Sequence, residues 1–309
     1  MSLLLNTIKT RTTSILRPAL MAALLLLSGA DAFAGSVLDR INQSGTINIG
    51  YRDDSLPFSY KNTENGPPLG YSIEVCVALA EAIKREAGAK SLAIKYVPVL
   101  GSSRIPDITE GKIDLECGNS TNTKARREKV AFSMPLYFAA ARLLVQDGSG
   151  ITKFEDLDGK TIAVEKGSTG EQIATARQKK YTTMKVMVVE TSDAGAVAVE
   201  NKTANAFMTD DILLHAYKVQ SKQKLAVVGA DMSVEPLAIM FDKGDRELAT
   251  LVEKEMSKLT TSGQLLTLYK KWFQTKVPQR SYNLGVAPNQ LTADSLVRPS
   301  SYVVDWVFL

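Results

Sequence analysis

Ile113-Asp114-Leu115-Glu116-Cys117 runs into Gly118-Asn119-Ser120-Thr121-Asn122-Thr123 and then into Lys124-Ala125-Arg126-Arg127. The first run reads as a buried strand and the second as a polar exit loop. Thr123 reads as the N-cap of a helix carrying Arg126 and Arg127, because a threonine hydroxyl there accepts from a free first-turn amide. The same pattern recurs with a strand over 161–164, the turn Gly167-Ser168-Thr169-Gly170, a helix to about Lys179, a strand over 185–189, another helix, and a strand over 205–208. Strand, loop and helix alternating in this way predict parallel sheets covered by helices.

Working outward, residues 46–51 form a short strand, followed by a turn-rich stretch with Pro57, Asn65, Gly66, Pro67 and Pro68. Helical spacing over 70–86 places Ile73, Cys76, Val77, Ala80 and Ile83 on one face, a core-packing pattern. Buried strands are expected over 92–99 and 113–117, with a short helix around 105–110 between them. Two similar lobes follow, and the length beyond 34 exceeds the common single-domain size of about 100–150 residues. Extended segments 139–146 and 236–241 are the expected crossings. The chain then returns to the first lobe, where a helix over 245–259 bears the apolar stripe Leu248, Leu251, Val252, Met256 and Leu259, which needs a sheet to cover it. The expected division is 35–141 and 238–280 for lobe one, 142–237 for lobe two, and an irregular tail over 281–309.

Residues 1–34 read as an export signal, with Lys9, Arg11 and Arg17 ahead of an apolar run over 19–27 and a small-residue cleavage site ending at Ala34. The run is about half the roughly 20 residues needed to span a bilayer. The periplasm is the expected compartment. There Cys76 and Cys117 either pair or remain buried thiols, since spacing alone does not say whether their α-carbons approach within about 7 Å.

Composition narrows the chemistry. Of 309 residues, 45% are hydrophobic and 23% charged, which suits a globular chain; a net charge of +4 from 37 basic and 33 acidic residues leaves no basic footprint for nucleic acid. One histidine, His215, and two cysteines cannot build a zinc finger or a histidine-rich metal site, so no metal or cofactor is expected. Gly159-Lys160-Thr161 fails as a phosphate loop because Phe154 stands where glycine is required. Gly167-Ser168-Thr169-Gly170 lacks the nucleophile-elbow spacing.

What the chain does offer lies at the ends of strands, where open parallel sheets bind ligands. Arg52 follows the first strand, Arg104 opens a helix, and Arg126 follows the Asn119 to Thr123 loop. Guanidinium forks give carboxylates two parallel hydrogen bonds. Asp210 ends a strand of the second lobe, where it either receives an ammonium group or caps the next helix. Ser168 and Thr169 stand at a helix N-terminus and offer hydroxyls and free amides to a carboxylate, or simply cap. Glu165, before this turn, reads as an exposed loop charge.

Arg52-Asp53-Asp54-Ser55-Leu56-Pro57-Phe58-Ser59-Tyr60, Gly70-Tyr71-Ser72, Arg104-Ile105-Pro106, Asp114-Leu115-Glu116-Cys117-Gly118, Phe132-Ser133, Asp156-Leu157-Asp158-Gly159-Lys160, Phe207-Met208-Thr209-Asp210-Asp211 and Lys271-Trp272-Phe273 occur in one order along about residues 36–280. In this the chain resembles the polar amino-acid solute-binding proteins of ABC importers (family 3), above all those for glutamate and aspartate. The resemblance implies a type II periplasmic-binding fold, α/β, with two Rossmann-like lobes on a two-segment hinge that closes on ligand. It implies that Arg126, with Thr121 and Thr169, holds the α-carboxylate, that Asp210 takes the ammonium, and that Arg52 and Arg104 face the side-chain carboxylate of L-glutamate or L-aspartate. A monomer that docks on a membrane permease is implied, and no nucleic-acid partner. Gly101, Asn119 and Ala194 replace a serine, a serine and a histidine of the glutamate/aspartate pattern, which alters the donors at the acidic end. A binder of neutral polar amino acids, an exported enzyme resembling cyclohexadienyl dehydratase with Glu165 as acid, and a sensor domain are the competing readings.

Overall fold

The computed structural model describes residues 36–303; the export segment expected at 1–34, its cleavage point and residues 304–309 lie outside them. Ser36 accepts from the Asp39 amide at 3.2 Å to start α1 (Val37–Ser44), and Gly45, at φ 62°, supplies the left-handed turn that ends it. The chain enters β1 (Thr46–Tyr51), passes the short hairpin β2 (Asp54–Ser55) and β3 (Ser59–Tyr60), and continues into α2 (Tyr71–Glu86). The face predicted for α2 is buried except for half-buried Val77, and Val75 and Leu79 join it.

Next come β4 (Ala93–Pro98), α3 (Arg104–Thr109), β5 (Leu115–Glu116), α4 (Lys124–Arg127), β6 (Val130–Phe132) and β7 (Tyr137–Ala139). The chain then builds a second sheet from β8 (Ala141–Gln146), β9 (Thr161–Glu165), β10 (Lys185–Val189), β11 (Ala206–Asp210) and β12 (Leu225–Val228). Helices α5 (Thr169–Gln178), α6 (Ser192–Glu200) and α7 (Asp211–Gln220) alternate with these strands. The return runs through β13 (Glu235–Leu237), β14 (Met240–Asp242), α8 (Arg246–Thr261), α9 (Gln264–Tyr269) and finally α10 (Gln290–Ser295).

The first sheet has the order β4-β1-β5-β14-β6 and the second β10-β9-β11-β8-β12. The expected parallel pairing is found in β4-β1-β5 and β10-β9-β11, while β14 and β8 lie antiparallel to their neighbours. Each of these two strands is a segment arriving from the other lobe, so it enters the sheet running the opposite way. Strand β4 was expected to be buried, yet it bonds to β1 alone and its residues alternate between half-buried and exposed, as an edge position dictates. The strand expected over 113–117 has its register partners at Leu115 and Glu116, with the amides of Asp114 and Cys117 donating to the β1 carbonyls of Asn48 at 2.8 Å and Gly50 at 2.9 Å.

The hinge is the antiparallel pair β7 and β13, with Tyr137 opposite Leu237 and Ala139 opposite Glu235. Its anchor is aromatic: Tyr137 stacks on Phe273 at 5.3 Å and on Tyr269 at 6.3 Å, and Tyr269 stacks on Phe273 at 4.4 Å. Such pairs contribute about 0.5–1.5 kcal/mol each beyond their area burial. Helix α8 packs on α1 and α2 rather than on a sheet, so its stripe is covered by other helices. The tail is not wholly irregular either. Asn289 caps α10, its Nδ2 donates to the Phe138 carbonyl at 2.7 Å, and the Thr292 hydroxyl accepts from the Phe138 amide at 3.0 Å, so the outer edge of β7 is satisfied by the tail. Cys76 on α2 and Cys117 beyond β5 form a disulfide, with α-carbons 6.3 Å apart. Among the described residues no helix is long and apolar enough to cross a membrane.

Candidate functional site

The C-terminal ends of the two sheets face each other, and the charged residues read from the sequence converge there. Arg52 follows β1, Arg104 opens α3, Asn119 and Thr121 lie in the loop after β5, and Arg126 sits in α4 behind the Thr123 cap. From the second lobe come Thr169 at the start of α5 and Asp210 at the end of β11. Arg52, Arg104, Arg126, Thr121, Thr169 and Asp210 are all buried. Bonds cross the cleft: Arg126 NH2 donates to the Gly167 carbonyl at 3.0 Å, Arg104 NH2 to the same oxygen at 3.3 Å, and Asn119 Nδ2 to Asp210 Oδ2 at 2.8 Å.

Neither Arg104 nor Arg126 meets a carboxylate within ion-pair distance among the described residues. The second terminal nitrogen of Arg126 goes to the Thr121 carbonyl at 2.9 Å, so its hydrogen bonds end on neutral oxygens. Burial, with Arg104 alongside, pushes the Arg126 guanidinium down to about 9, and burial lowers Arg104 too. Burial, with Glu235 nearby, holds the Asp210 carboxyl well above the usual range, and the Asn119 bond only partly offsets this. A buried cation lacking an anion and a buried acid lacking a cation are each stabilised by a ligand of the missing sign.

Ser168 settles as a cap: its hydroxyl accepts from the Glu171 amide at 3.0 Å. Asp210, in contrast, caps nothing, for its side chain makes no bond to the α7 amides and Asp211 accepts from Ala140 and Ile212 instead. The hydroxyls of Thr121 and Thr169 both donate to Glu235 Oε2, at 2.7 and 2.6 Å, while Ser233 donates to Oε1 at 2.7 Å. A hydroxyl has one proton, so in this structure both threonine hydroxyls are engaged by Glu235, which they hold between the lobes.

The largest correction concerns Glu165. It is 4% exposed, not a surface charge, because it ends buried β9 and points across the cleft to Arg52, with Oε1 at 2.5 Å from NH2; Ser192 Oγ donates to Oε2 at 2.6 Å. Arg52 also meets Asp54 at 3.2 Å. Burial alone would lower Arg52, yet Glu165, Asp54 and Glu116 together raise it. Glu116 and Glu235 escaped the sequence reading. The rule that singled out Asp210, a carboxylate at the C-terminal end of a buried strand, applies equally to Glu165 and Glu116.

Two α/β lobes on a two-strand hinge, closing a charged cleft, define a type II periplasmic solute-binding fold. Residues 47–275 match the bacterial extracellular solute-binding proteins, family 3, and the chain belongs to that family. It is 34% identical over 276 residues to the L-glutamate/L-aspartate-binding protein of Pseudomonas aeruginosa, covering 88% of this chain and 91% of that one. With the glutamate/aspartate import solute-binding protein of Escherichia coli K12 it shares 32% over 277 residues, again 88% and 91% of the two chains. Among solved structures it is similar to an ancestral arginine-binding protein bound to glutamine (TM-score 0.68, 28% identity, 75% of this chain and 99% of that one). Another similar structure is the ancestral amino acid-binding protein AncCDT-1, a precursor of cyclohexadienyl dehydratase (TM-score 0.65, 31% identity, 77% and 99%).

Proposed function

We propose that the protein captures an acidic amino acid, L-glutamate or L-aspartate, between its lobes in the periplasm and presents the closed form to the permease of an ABC importer. The observation that carries this reading is the pair of buried guanidiniums, Arg104 and Arg126, without carboxylate partners, together with buried Asp210 held to Asn119. Two carboxylates and one ammonium complement these three groups. Arg126 and the first-turn amides of α5, which begins at Thr169, take the α-carboxylate. Asp210 takes the ammonium, and Arg104, with Arg52 behind it, faces the side chain. The names of the relatives from P. aeruginosa and E. coli support the acidic ligand.

Closure is a population shift, since only the closed form lets both lobes touch the ligand. Export through residues 1–34, with cleavage after Ala34, puts the monomeric protein where such capture is useful. A dehydratase on this scaffold needs a proton donor at the leaving hydroxyl. Both oxygens of Glu165, the residue considered for that task, already accept bonds from Arg52 and Ser192, which favours binding without turnover. Calorimetric titration of ligand-stripped protein tests the proposal. Micromolar or tighter binding of L-glutamate or L-aspartate, about 8 kcal/mol, abolished by Arg126→Ala and by Asp210→Ala, supports it. Absence of heat with both acids, or turnover of prephenate or arogenate, overturns it.

A further inference from the structure

We infer that Asp54 is a positioning residue of the clamp: without touching the ligand it latches the lobes together by capping helix α6 of the opposite lobe, and so sets how long a captured amino acid is held. This rests on the clamp proposed above and adds to it the groups that keep it shut.

Helix α6 carries the first part of the argument. A helix leaves its first-turn amides without acceptors of its own. In α6 the Thr191 hydroxyl supplies one from the same lobe, accepting from the Ala194 amide at 3.2 Å. The amides of Ser192 and Asp193 find theirs on the other lobe, where Asp54 Oδ2 accepts from both, at 2.7 and 3.2 Å. The carboxylate also meets the positive pole of the helix. When the lobes part, the two amides and the carboxylate separate, so half of this cap belongs to the closed form alone.

Asp54 is held in place from its own lobe. It lies in the β2–β3 hairpin opposite Tyr60, whose hydroxyl donates to the Pro278 carbonyl at 2.8 Å. Its side chain is 6% exposed, and Oδ1 accepts from Arg52 NH2 at 3.2 Å, so both oxygens are engaged by the protein. Tyr217 on α7 supplies an independent observation: its hydroxyl donates to the Asp54 carbonyl at 2.8 Å, another bond from the second lobe onto the same residue. Ser192 extends the arrangement, because its hydroxyl donates to Glu165 Oε2 at 2.6 Å and Glu165 Oε1 meets Arg52 NH2 at 2.5 Å. Arg52 and Asp54 of one lobe and Ser192 and Glu165 of the other thus form a ring of bonds that crosses between the lobes twice. The opposing charge is the Asp193 carboxyl, which burial and then Asp54 push above the usual range. That one like charge stands against two charge-assisted amide bonds and the Tyr217 bond, so the balance favours closure. A ligand enters before the latch forms and leaves only after it breaks, which places the effect in the dissociation rate.

The test is stopped-flow kinetics of L-glutamate and L-aspartate on the ligand-stripped native protein, Asp54→Asn and Tyr217→Phe, with thermal unfolding to confirm that each variant is folded. Asp54→Asn keeps the size and removes the charge; Tyr217→Phe removes one hydroxyl that bonds to no residue of the clamp. Asp54→Asn is expected to release both acids at least about tenfold faster, and Tyr217→Phe about threefold faster. Association rates are expected to stay within about twofold of native. In Tyr217→Phe the ratio of the two acids' Kd values stays native, since the latch touches no ligand atom. Native dissociation rates in folded variants overturn the inference, as does a loss confined to the association rate or a changed ratio in Tyr217→Phe. If Asp54→Asn does not fold, Tyr217→Phe decides alone. If the native protein binds neither acid, the clamp reading falls and small-angle X-ray scattering of the ligand-free proteins decides the latch: a larger radius of gyration in the variants supports it, and equal radii overturn it.

Discussion

Replacing Arg126 by lysine keeps the charge and removes the planar fork, which isolates the role proposed for it. In the structure its NH1 donates to the Thr121 carbonyl of its own lobe at 2.9 Å, which orients the guanidinium before any ligand arrives, and its NH2 donates across the cleft to the Gly167 carbonyl at 3.0 Å. A carboxylate then receives two parallel charged hydrogen bonds, each contributing about 1.5–3 kcal/mol. Lysine retains one of them and none of the orientation. The expected loss is therefore about 1.5–3 kcal/mol, a factor of about 10–150 in Kd, and Arg126→Ala, losing both bonds, weakens binding beyond that range. Titration calorimetry with the tighter-binding acid measures the effect, and thermal unfolding confirms that each variant is folded. If Arg126→Lys binds within about threefold of the native protein, the guanidinium is not reading the carboxylate and the proposed orientation of the ligand fails.

Other expectations follow from individual contacts. Burial and Glu235 hold the Asp210 carboxyl well above the usual range, whereas a ligand ammonium favours its ionised form. Binding should therefore release a proton and tighten as pH rises toward the raised value; titrations in two buffers of different ionisation enthalpy detect this, and equal heats in both refute it. The disulfide between Cys76 and Cys117 closes a loop of sequence separation 41, which in the chain-entropy model stabilises the fold by about 4 kcal/mol. Reduction should lower Tm by roughly 10 °C, and an unchanged Tm after verified reduction contradicts the estimate. Thr292→Val leaves the Phe138 amide of the hinge strand without its acceptor, at a cost of about 1–3 kcal/mol. Denaturant unfolding checks that figure, and a loss well below it would mean that the tail does not support the hinge.

Much of this architecture was legible because charge placement follows strand ends. Arg52, Arg104, Arg126 and Asp210 are marked as candidates because each lies at the end of a strand or near a helix start, and the structure brings all four, buried, to the cleft. Glu165 obeys the same rule and was still misread. It lies one residue past the strand expected over 161–164, and its partner Arg52 is 113 positions away on the other lobe, so nothing local marks it as buried. The threonines show a related limit. Their hydroxyls are in the cleft, but the direction of each proton is set by Glu235, which belongs to the hinge. The exposure of β4 and the docking of α10 on β7 depend on sheet order and on long-range backbone bonds, neither of which has a local hydrophobic period. Gly101 carried meaning only once its neighbour was known: a glycine in place of a donor looks like a loss until the Glu165 carboxylate is seen in the space it leaves.

The most direct test of the clamp is a crystal structure of the ligand-stripped protein grown with whichever acid binds more tightly. The account predicts an amino acid enclosed between the lobes, its α-carboxylate within about 3 Å of the Arg126 guanidinium and its ammonium within the same distance of Asp210. A ligand seated elsewhere, or one with its ammonium turned away from Asp210, would contradict it.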